Sequence, residues 1–292
     1  MRDQAQRLRE LAAGTRGEPA AVPGGPARVV AVTSGKGGVG KTSVVANLGT
    51  VLAERGLAVT ILDADFGLAN LDIVLNLNPR WNLGHLLRGE AEASEVVVDA
   101  APGLRVIPGA SGLEALADLG DAERRRLLGA LAPLTAGADL LLVDTAAGIG
   151  RNVLTVCAAA TEVLLVTNPE PTSLTDAYGL VKVLLARRPD ARVRLLVNSA
   201  PGASEGRAVH RKLQEVVGRF LGGRLSYLGH LPKDDCVSRA TLRQMPFVVA
   251  YPRSEASRCL RTAADALLEE GGDGREVEPG FWRRLLALDD AR

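Results

Sequence analysis

The chain has 292 residues, of which 47% are hydrophobic and 24% charged, and 35 Lys and Arg against 34 Asp and Glu leave a formal net charge of +1. This balance disfavours a strongly basic body that wraps nucleic acid, and three cysteines without a CxxC pair disfavour a disulfide framework or a metal cluster. The first residues lack the apolar segment of a signal peptide, and no run of about 18 apolar residues occurs. We therefore expect a cytoplasmic protein.

The chain divides into a body and two appendages. Residues 1–13 form a short predicted helical segment, and residues 14–27, rich in Gly, Pro and Ala, are typical of a flexible tether. The body extends over residues 28–270. A second polar, Gly-rich linker at 271–280 leads to a tail at 281–292.

Within the body, short apolar runs alternate with helical patterns. The predicted strands are Val29–Thr33, Val59–Leu62, Leu104–Ile107, Leu140–Val143, Val163–Val166, Val193–Val197 and Leu225–Leu228. The predicted helices include Lys41–Arg55, which Gly56 ends, Asp121–Leu134, Ser173–Ala186 and Glu205–Phe220. Continuously apolar strands are typical of a parallel sheet buried on both faces. The predicted fold is therefore α/β, a doubly wound, mainly parallel sheet with helices on both faces.

Directly after the first predicted strand, the sequence GKGGVGKT (35–42) matches the phosphate-loop pattern G-x-x-x-x-G-K-[ST]. Its glycines allow backbone N–H groups to face a phosphate, and the positive end of the following helix attracts the same anion. Lys41 is predicted to reach the β- and γ-phosphates of ATP as a catalytic residue, and Thr42 to bind Mg²⁺. The predicted nucleotide-binding residues of this loop are Gly35, Lys36, Gly37, Gly38, Val39, Gly40, Lys41, Thr42 and Ser43.

Two predicted strands end in acidic residues, in the sequences DAD (63–65) and DTAAG (144–148). The carboxyl ends of parallel strands meet at one edge of a sheet, where the phosphate loop also lies, although an Asp after a strand can also cap the next helix. The predicted metal ligands are Thr42, Asp63 and Asp144. Gly148 is predicted to be free to bring its backbone N–H to the γ-phosphate.

The loop GKGGVGKT resembles the deviant Walker A motif of the MinD/ParA family of ATPases. The flagellar-number regulators of that family (FlhG and FleN type) are similar in DADFGLANLD (63–72), NLGHLLRGE (82–90), VIPGASG (106–112), DTAAGIG (144–150) and EPTSLTDAYGLVKVL (170–184). The resemblance implies a Mg²⁺-dependent ATPase in which Lys36 reaches across a homodimer to the partner's nucleotide and Asp65 orients the attacking water. It also implies base contacts from Asn198, Pro232 and Asp234, although Asn198 by itself is as typical of a turn cap.

The first residues add a separate motif. Asp3 to Arg9 (DQAQRLR) fits DQAxxLR, the pattern with which such regulators activate FlhF, a GTPase of the signal-recognition-particle type. The resemblance implies that Gln4 is presented to the catalytic centre of that GTPase, since a placed glutamine can orient water for GTP hydrolysis. The predicted contact residues are Asp3, Gln4, Ala5, Leu8 and Arg9. The alternative is a disordered polar terminus.

The tail carries an amphipathic pattern, with Phe281, Trp282, Leu285, Leu286 and Leu288 close together on a helical wheel beside basic residues. Such a segment suits insertion into a bilayer interface, and its arginines favour anionic lipids. A dimer would present two tails and gain avidity, so we expect binding to the cytoplasmic face of the inner membrane in the ATP-bound form. The alternative is a tail that folds back on the body or packs in an apolar groove.

The sequence therefore predicts an ATP-hydrolysing dimerisation switch that regulates flagellar number, cycles between cytosol and membrane, and stimulates FlhF. A flagellar transcription activator and switch-complex proteins are further candidate partners, and no direct nucleic-acid contact is expected. One alternative is a MinD/ParA-type switch for positioning a division site or another cargo. A second alternative is a nucleotide-dependent anti-activator that binds a flagellar transcription factor and has little catalytic role.

Overall fold

In the computed structural model of the chain, residues 28–65, 70–109, 129–269 and 281–287 are described. The eight strands are β1 (Arg28–Ser34), β2 (Val59–Ala64), β3 (Val98–Ala101), β4 (Leu104–Ile107), β5 (Leu140–Ala147), β6 (Glu162–Thr167), β7 (Val193–Ala200) and β8 (Leu225–Pro232). The α-helices in the described ranges are α1 (Lys41–Glu54), α2 (Leu71–Val74), α3 (Leu83–Leu87), α4 (Ala93–Val96), α5 (Arg151–Ala159), α6 (Pro171–Arg187), α7 (Ala203–Leu221), α8 (Asp235–Leu242), α9 (Phe247–Ala250), α10 (Glu255–Glu269) and α11 (Phe281–Ala287).

The strands form one sheet in the order β3-β4-β2-β5-β1-β6-β7-β8. Every neighbouring pair is parallel except β3 with β4, which are antiparallel. The chain leaves β1 towards β2 on one side and later builds β6, β7 and β8 on the other, so the strand order reverses beside β1. Ligands of doubly wound sheets bind at the carboxyl ends of the strands next to such a reversal. The predicted fold class is confirmed.

Helices cover both faces of the sheet and bury two apolar layers. One layer receives side chains from α5, α6 and α7, including Val153, Leu180 and Val209. The other receives side chains from α1, α8, α9 and α10, including Val45 and Leu260. The central strands are buried on both sides, which explains their continuous apolar sequences.

The predicted boundaries agree with the structure where the local pattern is strong. The first helix ends at Glu54, and Gly56 follows with φ +90°, as expected of a helix-ending glycine. The short strand β3 was not predicted, because it has only four residues, alternates between half-buried and exposed positions, and pairs only at the sheet edge. Most of the predicted helix Asp121–Leu134 lies outside the described residues, and Ala132–Thr135 forms a 3₁₀ turn that contains Pro133.

The tail helix α11 packs against α5 on the body. Phe281 and Trp282 are each 3% exposed, and Trp282 Nε1 donates a hydrogen bond to Thr135 Oγ1 at 3.2 Å. Arg284 Nε donates to the Ala159 carbonyl at 2.7 Å, at the end of α5. In this structure the tail therefore has the docked arrangement that the sequence analysis gave as its alternative, and membrane binding stays a prediction.

Some predicted elements cannot be placed. The segment at 1–13, its tether, the linker at 271–280 and Leu288 lie outside the described residues, as does the side chain of Leu286. Among the helices in the described ranges, none combines the length and the apolar character that crossing a membrane requires.

Candidate nucleotide-binding site

The phosphate loop connects β1 to α1 at the carboxyl edge of the sheet. Gly40 precedes the helix with φ +87°, a left-handed conformation that side chains other than glycine rarely adopt. Gly35 lies against the backbone of α6, where an added Cβ would come within 2.3 Å of the Asp176 carbonyl carbon. The glycines therefore shape the loop and also let it approach α6 closely.

Lys41 and Asp144 form a buried ion pair inside the loop. Lys41 Nζ lies 2.8 Å from Asp144 Oδ1, and the two side chains are 7% and 1% exposed. The second carboxylate oxygen of Asp144 is buried without a hydrogen-bond partner in the structure. Burial raises the pKa of Asp144, while Lys41 and the Thr42 hydroxyl lower it. The carboxylate is thus balanced by one lysine and keeps one oxygen available.

Asp63 lies beside Asp144, because the two residues pair in register across β2 and β5. Burial and the neighbouring charge of Asp144 raise the pKa of Asp63 from 3.8 to about 7, although its Oδ1 accepts a hydrogen bond from Asp65 N at 3.0 Å. The structure therefore brings together the three predicted acidic residues of the site. At neutral pH this edge holds closely spaced carboxyl groups that compete for positive charge.

The donor set fits a magnesium ion that is shared with nucleotide phosphates. Mg²⁺ prefers oxygen ligands and is usually bound through one or two carboxylates together with phosphates and water. The unpartnered oxygen of Asp144, the Thr42 hydroxyl that bonds the same carboxylate, and the buried Asp63 supply such oxygens. In the described ranges no group of three or more His, Cys, Asp and Glu could hold a metal by itself. A cation here would therefore depend on the phosphates for further ligands.

Lys36 lies outside this buried site, on the surface of the same loop. Its ammonium group donates to Glu170 Oε2 at 3.0 Å and to Thr172 Oγ1 at 3.3 Å, both at the start of α6. The lysine side chain is 41% exposed and that of Glu170 is 58% exposed. The two lysines of the loop therefore bind carboxylates in opposite environments.

The predicted role of Gly148 needs a correction. Its backbone N–H donates to the Ser34 carbonyl at 2.8 Å, so this group is not free to meet a γ-phosphate. The glycine has φ +93°, and this bond joins the end of β5 to the end of β1. A phosphate contact from Gly148 would require the bond to Ser34 to break.

The three predicted base-contact residues lie at the same edge, but two of their side chains are engaged elsewhere. Asn198 donates from Nδ2 to the Val39 carbonyl of the phosphate loop at 2.7 Å. Asp234 caps α8 by accepting from Cys236 N at 2.9 Å and also accepts from Ala256 N at 3.2 Å. Pro232 ends β8. Asn198 and Asp234 thus hold the edge of the site together, and their contact with a base stays a prediction.

Sequence reasoning missed the partners of Lys36. Glu170 and Thr172 stand in the quoted motif EPTSLTDAY, yet no role was assigned to either residue. The available signal was the combination of a second lysine in the phosphate loop and an acidic residue three positions after the central strand β6, with no role assigned to it. The link could not be drawn because 134 residues separate Lys36 from Glu170.

Comparison with known proteins identifies the family. The family described as the CobQ/CobB/MinD/ParA nucleotide binding domain matches residues 30–247. The antiactivator FleN of Pseudomonas aeruginosa is 43% identical over 239 residues, which cover 82% of this chain and 85% of that protein. The flagellum site-determining protein YlxH of Helicobacter pylori is 32% identical over 268 residues, 90% of each chain. The resemblance to the flagellar-number regulators is confirmed.

Solved structures agree with this assignment. MinD in the MinC:MinD cell division protein complex of Aquifex aeolicus superposes with a TM-score of 0.67 at 27% identity and covers 84% of this chain and 97% of its own. MinD of Pyrococcus horikoshii, solved as a complex with Mg-ADP, gives a TM-score of 0.66 at 26% identity and covers 82% and 95%. Together with the phosphate loop and the carboxylates at the edge of the sheet, these matches show that the chain belongs to the MinD/ParA family of nucleotide-binding ATPases.

Proposed function

We propose that the protein is a Mg²⁺-dependent ATPase switch that controls flagellar number by forming a homodimer around ATP. The main support for the proposal is that the two lysines of the phosphate loop lie in different surroundings. Lys41 is buried on Asp144, where one nucleotide would bind, whereas Lys36 lies on the surface beside α6. The flagellar role follows from the 43% identity to the antiactivator FleN and the similarity to YlxH.

The buried pair explains how the site would accept ATP. Lys41 would turn from Asp144 to the β- and γ-phosphates, so that its charge stays compensated. The Asp144 carboxylate, Thr42 and Asp63 are the residues that would hold the cation. Mg²⁺ bound there would neutralise phosphate charge.

Asp65 would orient the attacking water. Its backbone N–H bonds to Asp63, which places Asp65 directly beyond the buried carboxylates at the sheet edge. A carboxylate in this position can accept hydrogen bonds from a water molecule and align it with a γ-phosphate. Hydrolysis would then return the dimer to monomers.

The docked tail would be the membrane-binding element, and it must leave the body to act. Phe281 and Trp282 are buried against the body, and α11 packs on α5. The helix α5 begins directly after the DTAAGIG segment (144–150), which contains the end of β5, so changes at the phosphate site can reach the tail through one helix. Two released tails in a dimer would bind anionic lipid with avidity.

Liposome co-sedimentation tests the tail. Deleting residues 281–292 is expected to abolish ATP-dependent binding to anionic liposomes and to leave dimerisation intact. Replacing the exposed Arg283 with Gln is the milder variant, which leaves the Arg284 bond to the body in place, and it should weaken binding most on anionic lipid. Undiminished lipid binding by the truncated protein would place the membrane site elsewhere.

The N-terminal motif would stimulate a partner GTPase of the FlhF type. A peptide of residues 1–13 is expected to accelerate GTP hydrolysis by that GTPase, and a Gln4→Ala peptide of equal length is the matched control. Stimulation that does not depend on Gln4, or no stimulation of a competent GTPase, would contradict this part of the proposal.

A second candidate function is anti-activation of a flagellar transcription factor, which the similarity to the antiactivator FleN of Pseudomonas aeruginosa favours. Counting flagella by electron microscopy separates the candidates. Loss of the gene should change flagellar number, and the wild-type gene should restore it. An Asp65→Ala gene should fail to restore it if turnover matters and should succeed if the protein acts as an ATP-loaded binding module. A displaced division site with unchanged flagella would instead indicate a MinD-type positioning role.

A further inference from the structure

Lys36 is held by its own protomer in the described conformation. Its backbone carbonyl accepts a hydrogen bond from Ser34 Oγ at 3.0 Å, and its ammonium group donates to Glu170 and Thr172. The neighbouring Gly35 packs directly on the backbone of α6. The loop and the start of α6 therefore form one unit that fixes both ends of the lysine.

Glu170 supplies the charge that makes this position favourable. It stands at the N-cap of α6, and Pro171 and Thr172 are the first helical residues. The N-terminal end of a helix carries a partial positive charge, which disfavours a lysine ammonium group. The Glu170 carboxylate offsets that repulsion, whereas Thr172 contributes only a neutral hydroxyl.

The contact competes with the role proposed for Lys36 in the dimer. An ammonium group bonded to its own α6 must leave Glu170 before it reaches a nucleotide held by the partner subunit. We propose that Glu170 is a positioning residue that retains Lys36 on its own protomer and thereby sets the ATP concentration at which dimers form. This inference rests on the ATP-dependent dimer proposed above.

The expected effect is modest for each protomer and larger for the dimer. Exposed ion pairs contribute about 0.2–1 kcal/mol, which corresponds to roughly a 1.4- to 5-fold change in an equilibrium constant. Two such contacts break when a symmetric dimer forms, so the changes multiply to about 2- to 30-fold. The contact between Lys36 and Glu170 therefore adjusts the ATP concentration at which dimers form, without preventing dimerisation.

The first test is sedimentation of the full chain with Mg²⁺ and a non-hydrolysable ATP analogue. Glu170→Gln is expected to lower the dimer dissociation constant about 2- to 30-fold. Glu90→Gln is the matched control, because it removes the same charge from another exposed pair, with Arg88 at 2.9 Å, and it should leave the constant unchanged. An unchanged or raised constant for Glu170→Gln would overturn the proposal.

The second test needs no dimer and separates failure of this inference from failure of the proposed function. Lys36 acylation by an N-hydroxysuccinimide ester is measured by peptide mass spectrometry on the chain without nucleotide, with the exposed Lys212 as internal reference. Glu170→Gln should raise the labelling rate of Lys36 relative to Lys212. Unchanged labelling would show that Glu170 does not hold the lysine, whatever the wild-type chain does with ATP. If Glu170→Gln labels faster but does not form tighter dimers, Glu170 does not set the ATP concentration at which dimers form. If the wild-type chain never dimerises with ATP, the proposed function itself is contradicted.

Discussion

The inner and outer sides of the phosphate loop carry the same chemistry in different surroundings. Inside, Lys41 and Asp144 are 2.8 Å apart and nearly fully buried; outside, Lys36 and Glu170 are 3.0 Å apart and both well exposed. Water screens the outer pair and competes for it, whereas the inner pair must stay compensated once it has left water. Burial therefore makes Lys41 an obligatory part of the site, whereas exposure leaves Lys36 free to change partners.

The largest expected effect comes from breaking the inner pair. Lys41→Ala leaves the buried Asp144 carboxylate without its cation, and breaking such a pair costs about 3–5 kcal/mol. Urea denaturation should detect this loss, and calorimetry should show ATP binding weakened more than about 100-fold. The double variant Lys41→Ala/Asp144→Ala is the control and should regain part of the stability. A Lys41→Ala protein as stable as Lys36→Ala would contradict the comparison.

The next largest effect is on the pH dependence of folding stability, through the carboxyl group of Asp63 beside the inner pair. Its pKa is raised to about 7, so the folded chain retains this proton over a pH range in which the unfolded chain, near 3.8, has lost it. Stability contributed by this group therefore falls as pH rises from about 4 to 7 and stays low above that.

Asp63→Asn is expected to be more stable than the wild type at pH 8, by about 4 kcal/mol in Mg²⁺-free buffer. The advantage should be small near pH 4 and vanish near pH 3, because the carboxyl group is then neutral in both states. Chemical denaturation across this pH range measures it. An equal difference between the two proteins at every pH would contradict the raised pKa.

A smaller effect is expected from Asp65, the proposed water-orienting residue. Asp65→Ala should lower ATP turnover about 100-fold and retain the ATP dimer, because the inner pair and Lys36 are untouched. Phosphate release and sedimentation measure the two properties on the same protein. Unchanged turnover would contradict the role of Asp65.

The smallest effect is expected on the outer side of the loop. Lys36→Ala should weaken ATP-dependent dimerisation about threefold for each lysine, or roughly tenfold for the dimer, and leave the ATP affinity of the single chain nearly unchanged. The reason is that one charge-assisted hydrogen bond per lysine is lost only at the dimer interface, and the Glu170 contact that no longer has to break offsets part of that loss. Titration of ATP into dilute monomer and sedimentation at higher concentration separate the two properties. Equal loss of both would assign Lys36 to its own nucleotide.

The fold and the phosphate loop could be predicted because their signals are local. Continuous apolar strands, a glycine-rich loop and helix periodicity depend on neighbouring residues, and all appear in the structure where it describes them. The four-residue strand β3 was missed because edge pairing with β4, and not its own pattern, makes it a strand. The bond from Gly148 to Ser34 was missed because it joins two strands that are distant in sequence.

The tail shows the limit of pattern reasoning most directly. Its amphipathic sequence indicates an apolar side but does not say what covers that side, since a bilayer interface and a protein groove offer the same apolar contact. The structure places Phe281 and Trp282 against α5 and the turn at Thr135. Membrane binding stays a prediction, now with the added requirement that α11 first leaves the body.

Local sequence patterns were sufficient to predict the fold class, the phosphate loop and the set of charged residues that can serve it. Which charges pair, which of them are buried and which apolar face is covered depended on the folded chain. Charge compensation and burial depend on the distances between side chains, and the order of strands in the sheet sets those distances. Residues 103 and 134 positions apart, as in the pairs Lys41–Asp144 and Lys36–Glu170, become neighbours only when the sheet has formed.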